Sequence, residues 1–170
     1  MTKTRRLTEI AVCVAMAVVG SFIKVWEMPQ GGSVALTMVP ILLIAIKRGA
    51  VAGIATGAIY GVLSLLIAGV IYHPMSIFLE YVLAFGLLGL AGLFPKNILG
   101  VILGCFTGVC GRFISSLVSG AVLFAEYAPE GQNPWVYSLI YQATYLVPEF
   151  LISAVIIVLL FTKANRLFEK

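Results

Sequence analysis

Glu80 and Tyr81 stand in the middle of an apolar run, Phe78-Leu79-Glu80-Tyr81-Val82-Leu83-Ala84-Phe85. A carboxylate set among hydrocarbon for more than a helical turn needs a partner, a proton or water, because an unpaired charge in an apolar medium is very costly. Two further ionisable residues, Arg112 and Glu149, also lie inside apolar stretches. Arg112 can answer Glu149, reach up to Glu80, or serve a ligand, and a buried Arg112–Glu149 pair is as good a helix clamp as a ligand contact. Glu80 would suit an incoming cation. The competing reading is a protonated acid hydrogen-bonded to a neighbouring helix.

A second group lies near the C-terminus. Tyr137, Tyr141 and Tyr145 recur at i, i+4 and i+8, so they share one helical face, with Trp135, Gln142 and Asn133 nearby. Aromatic residues at a membrane boundary are often an interfacial belt, which is one reading of Trp135 beside a ligand contact. A belt does not account for Tyr141 and Tyr145 farther down the helix, where a buried hydroxyl needs a partner. Aromatic faces with a carboxylate suit a flat, positively charged heterocycle through stacking and cation–π attraction.

Catalytic chemistry finds little support. His73 is the single histidine, aspartate is absent, and there is no HExxH motif or phosphate loop. Cys13, Cys105 and Cys110 sit in apolar segments without metal-ligand or CxxC spacing and read as packing residues. These residues predict neither an enzyme nor a metal or cofactor site. Any ATP-driven step would fall to another subunit.

The elements that must position these groups are membrane spans. The chain is 61% hydrophobic and only 11% charged, with a mean hydropathy of +1.09; soluble domains carry about 25% charged residues. Six apolar segments predict an all-α integral membrane protein, a six-transmembrane-helix bundle forming one domain over residues 1–170, with spans at about 7–25, 34–46, 50–69, 75–93, 98–123 and 135–161. The second is short and contains Pro40, so a tilted, kinked or partly embedded element is expected. Lys3, Arg5, Arg6, Lys47, Arg48, Lys96, Lys163, Arg166 and Lys170 fall on the side of the termini, whereas the opposite loops carry Lys24 with Glu27, Glu126 and Glu130. The positive-inside rule then makes both termini cytoplasmic and turns the 26–33 and 124–134 connections and the Tyr72-His73 turn outward. At about 1.5 Å per residue, Glu80 lies roughly 9 Å below the outer boundary and Arg112 and Glu149 roughly 16 to 21 Å below it.

Small residues recur at helical spacing: Gly53, Gly57 and Gly61; Gly100, Gly104 and Gly108; and Ala11 with Ala15. Such stripes let helices approach closely in lipid, either within one bundle or against another membrane protein. The stripe on the first segment is the best candidate for docking.

Several stretches resemble the thiamine-binding S components of energy-coupling factor (ECF) vitamin transporters, the ThiT/YuaJ-type family. They are Leu7-Thr8-Glu9-Ile10-Ala11 with Ala15, Met28 to Val34 continuing to Met38-Val39-Pro40-Ile41, Leu79-Glu80-Tyr81, Arg112 before Gly120, and Tyr137-Ser138-Leu139 running into Tyr141 to Tyr145. The likeness covers essentially the whole chain in order. It implies a bacterial plasma-membrane protein that captures thiamine from outside and works with a transmembrane T subunit and two cytosolic ATPase subunits. By that resemblance Ala11 and Ala15 form the docking stripe for the T subunit, Glu80 and Tyr81 are the ligand-binding acid and phenol, and Arg112 and Tyr137 line the pocket. The family pattern often has histidine where this chain has Ser116, asparagine where it has Gln142, and in some members tryptophan where it has Phe124. Tyr141, Gln142, Trp135, Ser116 and Phe124 complete the expected ligand-binding set, with the 26–33 loop as a lid. The alternatives are an S component for another vitamin, a self-sufficient proton-coupled carrier using Glu80 or Glu149, and, behind these, an intramembrane enzyme or a purely structural subunit.

Overall fold

The computed structural model describes residues 3–29, 31–68, 73–164, 166 and 168. Gln30, Tyr72 and Lys170, named above in the loop, the outward turn and the basic tail, lie outside the described residues. Six helices follow in order: α1 (Lys3–Ser21), α2 (Met38–Arg48), α3 (Ala50–Ala68), α4 (Pro74–Leu93), α5 (Ile98–Val122) and α6 (Pro134–Lys163). Of these α3, α4, α5 and α6 are long and apolar enough to cross a membrane. α2 has only 11 residues, about 16 Å of helix, which is too short to span hydrocarbon alone.

The first two segments end differently from the sequence expectation. α1 stops at Ser21, and Lys24–Glu27 forms a strand, β1, paired antiparallel with β2 (Ser33–Ala35). Val34 and Ala35, expected inside the second span, are therefore strand residues, and both are buried. A short continuous apolar run does not distinguish a buried strand from the start of a helix, which is why the boundary fell four residues early. Gly31 and Gly32, with φ of 91° and 87°, make the turn between the strands; side chains rarely adopt that region.

Helix starts are set by local chemistry. His73, Asn97 and Asn133 accept from the backbone N–H of Met75, Gly100 and Trp135 at 3.1, 2.7 and 2.9 Å. Pro74 and Pro134 occupy the first turns of their helices, where a missing N–H costs nothing. Between α2 and α3 a single residue, Gly49 with φ of 90°, reverses the chain.

α4 is central and composite. It begins as an α-helix, widens into a π-helical turn over Ile77–Leu83, and tightens into a 3₁₀ stretch over Leu88–Leu93. Both glycine stripes close on it. A side chain at Gly57 or Gly61 would overlap the carbonyl oxygen of Phe85 or Tyr81, and one at Gly104 or Gly108 would press on those of Ala91 and Leu88. These stripes thus pack the bundle internally, while Ala11 and Ala15 of α1 are exposed.

At the end holding the α2–α3 turn, Glu9 pairs with Arg48, with Lys47 at 3.4 Å and with Arg5 at 3.6 Å. Lys96 Nζ donates to the carbonyls of Lys47 at 2.8 Å and Phe168 at 3.3 Å. The hairpin, His73 and the 124–134 connection lie at the other end, where the cavity is.

Candidate ligand-binding site

The π-helical turn carries the two residues that first suggested chemistry. Glu80 and Tyr81 both face a cavity of about 680 Å³ between α3, α4, α5 and α6. Leu79 O accepts from the N–H of Ala84 five residues on and also from Ser115 Oγ of α5 at 2.6 Å. Wide turns of this kind are rare and recur at functional sites, because they re-aim side chains that a regular helix would spread around its circumference.

Arg112 Nη1 donates to Glu149 Oε2 at 3.3 Å, and its guanidinium carbon lies 4.3 Å from the centre of the Phe85 ring. Glu149 is 1% exposed, so the pair is buried. Pro148, inside α6, withholds one backbone donor immediately before it. At the mouth Lys24 pairs with Glu27 at 2.6 Å, and both line the cavity. With these two pairs made, Glu80 is the lining carboxylate that has no ion-pair partner among the described residues. The lining therefore holds one more acid than base, the balance that suits a monovalent cation.

The tyrosine face of α6 forms one wall. Tyr137 and Tyr141 have ring centres 6.0 Å apart, and Tyr141 and Tyr145 6.3 Å apart. Tyr145 is buried, and its hydroxyl donates to Gln142 Oε1. Gln142 Nε2 donates onward to Ser116 O at 3.1 Å. Gly120 lets α5 and α6 come close enough for this, since a Cβ there would overlap Ser138 Oγ. Tyr141 OH donates to Gly31 O at 2.7 Å, and Gly32 lies so close to the Tyr145 ring that a Cβ would sit 2.8 Å from it. The hairpin is thereby drawn over the cavity like a lid.

Of the residues proposed from sequence, Glu80, Tyr81, Arg112, Ser116, Phe124, Tyr137, Tyr141 and Gln142 all line this cavity. Trp135 does not: it is 50% exposed and outside the lining. Two residues before Tyr137 it lies about 200° around the helix, which turns it away from the tyrosine face. Sequence reasoning missed Tyr60 and Ser64 of α3, and Phe85 of α4, which also line the cavity. Thr56, Tyr60 and Ser64 recur every four residues in an otherwise apolar helix, a polar stripe that could have revealed that wall. Tyr60 packs edge-to-face on Phe85 at 4.7 Å.

Fold and cavity together define the class of protein, a membrane-embedded helical bundle that encloses a cavity at one end. The chain belongs to the Thiamine transporter protein (Thia_YuaJ) family, whose model matches residues 7–169. It is 39% identical to the thiamine transporter ThiT of Bacillus subtilis (strain 168), over 96% of this chain and 94% of that one. It is 31% identical to ThiT of Lacticaseibacillus paracasei over 77% and 74% of the two chains. The structure superposes on ThiT from Listeria monocytogenes with a TM-score of 0.90 at 27% identity, covering 99% of each chain. It shares the fold of an S component of a bacterial ECF transporter, with a TM-score of 0.69 at 21% identity over 99% of this chain and 100% of that one. The family is one of transporters, not enzymes.

Proposed function

We propose that this chain is the substrate-binding subunit that captures thiamine from outside the bacterial cell membrane for ATP-driven uptake by an ECF module. The observation that carries the reading is Glu80, a cavity-lining carboxylate left over after the two neighbouring acid–base pairs are made. Thiamine is a flat heterocycle with a fixed positive charge, and the site offers that charge a carboxylate and its ring the tyrosine wall. Tyr81, Tyr137, Tyr141 and Gln142 orient the ligand, with Ser116 and Phe124 beside them, Arg112 held at the floor by Glu149, and the hairpin as lid. The cavity volume lies in the ordinary range of about 300 to 1,000 Å³ for small-molecule sites.

Both termini are cytoplasmic in this reading, and the exposed Ala11–Ala15 face of α1 meets the transmembrane T subunit, which two cytosolic ATPases drive. The name shared by the relatives, thiamine transporter, supports the ligand. Isothermal titration of the detergent-purified protein tests it. Thiamine should bind tightly, and Glu80→Gln should weaken binding by about 2 to 5 kcal/mol, the cost of removing one partner of a desolvated charge pair. Binding of a different vitamin in place of thiamine would overturn the ligand assignment, and an unweakened Glu80→Gln would overturn the role of that acid.

A further inference from the structure

α5 carries a row of hydroxyls one turn apart beside the π-helical turn. Ser115 holds the carbonyl of Leu79 at 2.6 Å. Ser119, four residues on, is fully buried, and its Oγ makes no hydrogen bond of ordinary length with a described group. It stands outside the cavity lining, near enough to the Glu80 carboxyl for a weak polar contact that falls short of an ordinary hydrogen bond. An orphaned buried hydroxyl costs free energy that water would have repaid, roughly 1 to 3 kcal/mol, so its retention calls for a state in which it is satisfied.

We propose that Ser119 is a positioning residue for ligand capture, whose hydroxyl donates to the rear of the Glu80 carboxylate when a cation occupies the cavity side. The inference rests on Glu80 being the counter-charge. A carboxylate has about four lone-pair sites, so a ligand on the cavity side leaves room for a donor behind. That donor fixes the rotamer of the acid and strengthens as the acid loses water. Ser115 immobilises the backbone of the same turn, so only the Glu80 side chain has to adjust. Ser153, the other orphaned hydroxyl among the described residues, lies on α6 one turn beyond Glu149.

A hydroxyl of this kind gives an unusual signature: it is silent or unfavourable in the resting protein and favourable in the complex. Ser119→Ala should melt at the same temperature as wild type, or higher, without ligand, yet bind thiamine about tenfold or more weakly, the worth of a hydrogen bond to a charged group. In a Glu80→Gln background the added Ser119→Ala should change affinity by less than about twofold, since the two residues act through one bond. Wild-type affinity in Ser119→Ala, an equal loss in both backgrounds, or a protein that melts lower or does not fold would each overturn the proposal. If Glu80→Gln weakens binding and Ser119→Ala does not, only this inference falls. If Glu80→Gln binds as tightly as wild type, the counter-charge reading itself falls.

Discussion

Arg112 donates to Glu149 across the α5–α6 interface at 3.3 Å, with its guanidinium laid over the ring of Phe85. The pair spends Arg112 on a neighbour instead of on Glu80, and so determines which acid is available to a ligand. Removing one partner of a buried pair leaves an uncompensated charge, whereas replacing both with apolar groups is often neutral. We expect Glu149→Leu to lower the ligand-free stability by about 3 to 5 kcal/mol and Arg112→Met combined with Glu149→Leu to recover most of it. Thermal unfolding in detergent without ligand measures both. Additive losses in the double variant would show that the two residues act separately.

The α3–α4 contact gives a second expectation, because Gly61 faces the carbonyl of Tyr81 and Gly57 that of Phe85, with no room for a Cβ. Alanine at Gly61 must push the π-helical turn away and so displace Tyr81 and Glu80 together. Overpacking of this kind costs about 1 to 3 kcal/mol or more, and ligand affinity should fall with stability. Gly86, also on α4, is a fair control: a Cβ there meets nothing nearer than 3.9 Å, so Gly86→Ala should be harmless. Equal behaviour of Gly61→Ala and Gly86→Ala in melting and titration would remove the close approach as a determinant of the site.

The parts of this architecture that sequence discloses are those governed by burial and periodicity. Charges in apolar runs marked Glu80, Arg112 and Glu149, and the i, i+4, i+8 tyrosines marked the α6 wall, because the bilayer makes each such exception costly. The π-helical turn was invisible, since it depends on Ser115 reaching Leu79 O from another helix and on the glycine-lined approach of α3. The β-hairpin hid for a different reason: Val34 and Ala35 are apolar on both sides of the strand–helix boundary, so hydropathy ran on without a break. Trp135 misled because its chemistry suited a stacking role and its register, two residues from Tyr137, did not.

Closure of the hairpin hangs on Tyr141 OH donating to Gly31 O and on Gly32 lying against Tyr145. Loss of one neutral hydrogen bond is worth about 0.5 to 1.5 kcal/mol, and interface changes of this sort show mainly in dissociation. Tyr141→Phe should therefore speed ligand release about two- to tenfold with little change in the association rate. Gly32→Ala should do more, because its positive φ and the Tyr145 ring both oppose a side chain. Trp26 in β1 and Trp135 are the two tryptophans of the chain; in a Trp135→Phe background, stopped-flow fluorescence would follow Trp26 alone. Release unchanged in both variants would mean that the hairpin does not gate the cavity.

α1 supplies the last expectation. Its buried face is Cys13, Val14, Ala17 and Gly20, with Cys13 in a cluster with Ile44 and Ala52, whereas Ala11 and Ala15 are exposed, as are Val12, Met16 and Val19 beside them. Bulk added on the outward face touches neither the core nor the cavity at the other side of α1. Ala11→Trp and Ala15→Trp should thus leave melting temperature and thiamine affinity within the scatter of ordinary surface changes, about 0.5 kcal/mol. The same substitutions should block the close helix approach that small residues permit. Uptake of labelled thiamine by cells containing the complete transporter should then fall to background while binding by the purified variants persists. Uptake at the wild-type rate in both variants would rule out this face as the proposed T-subunit contact. Loss of binding along with uptake would show that the stripe serves the fold instead.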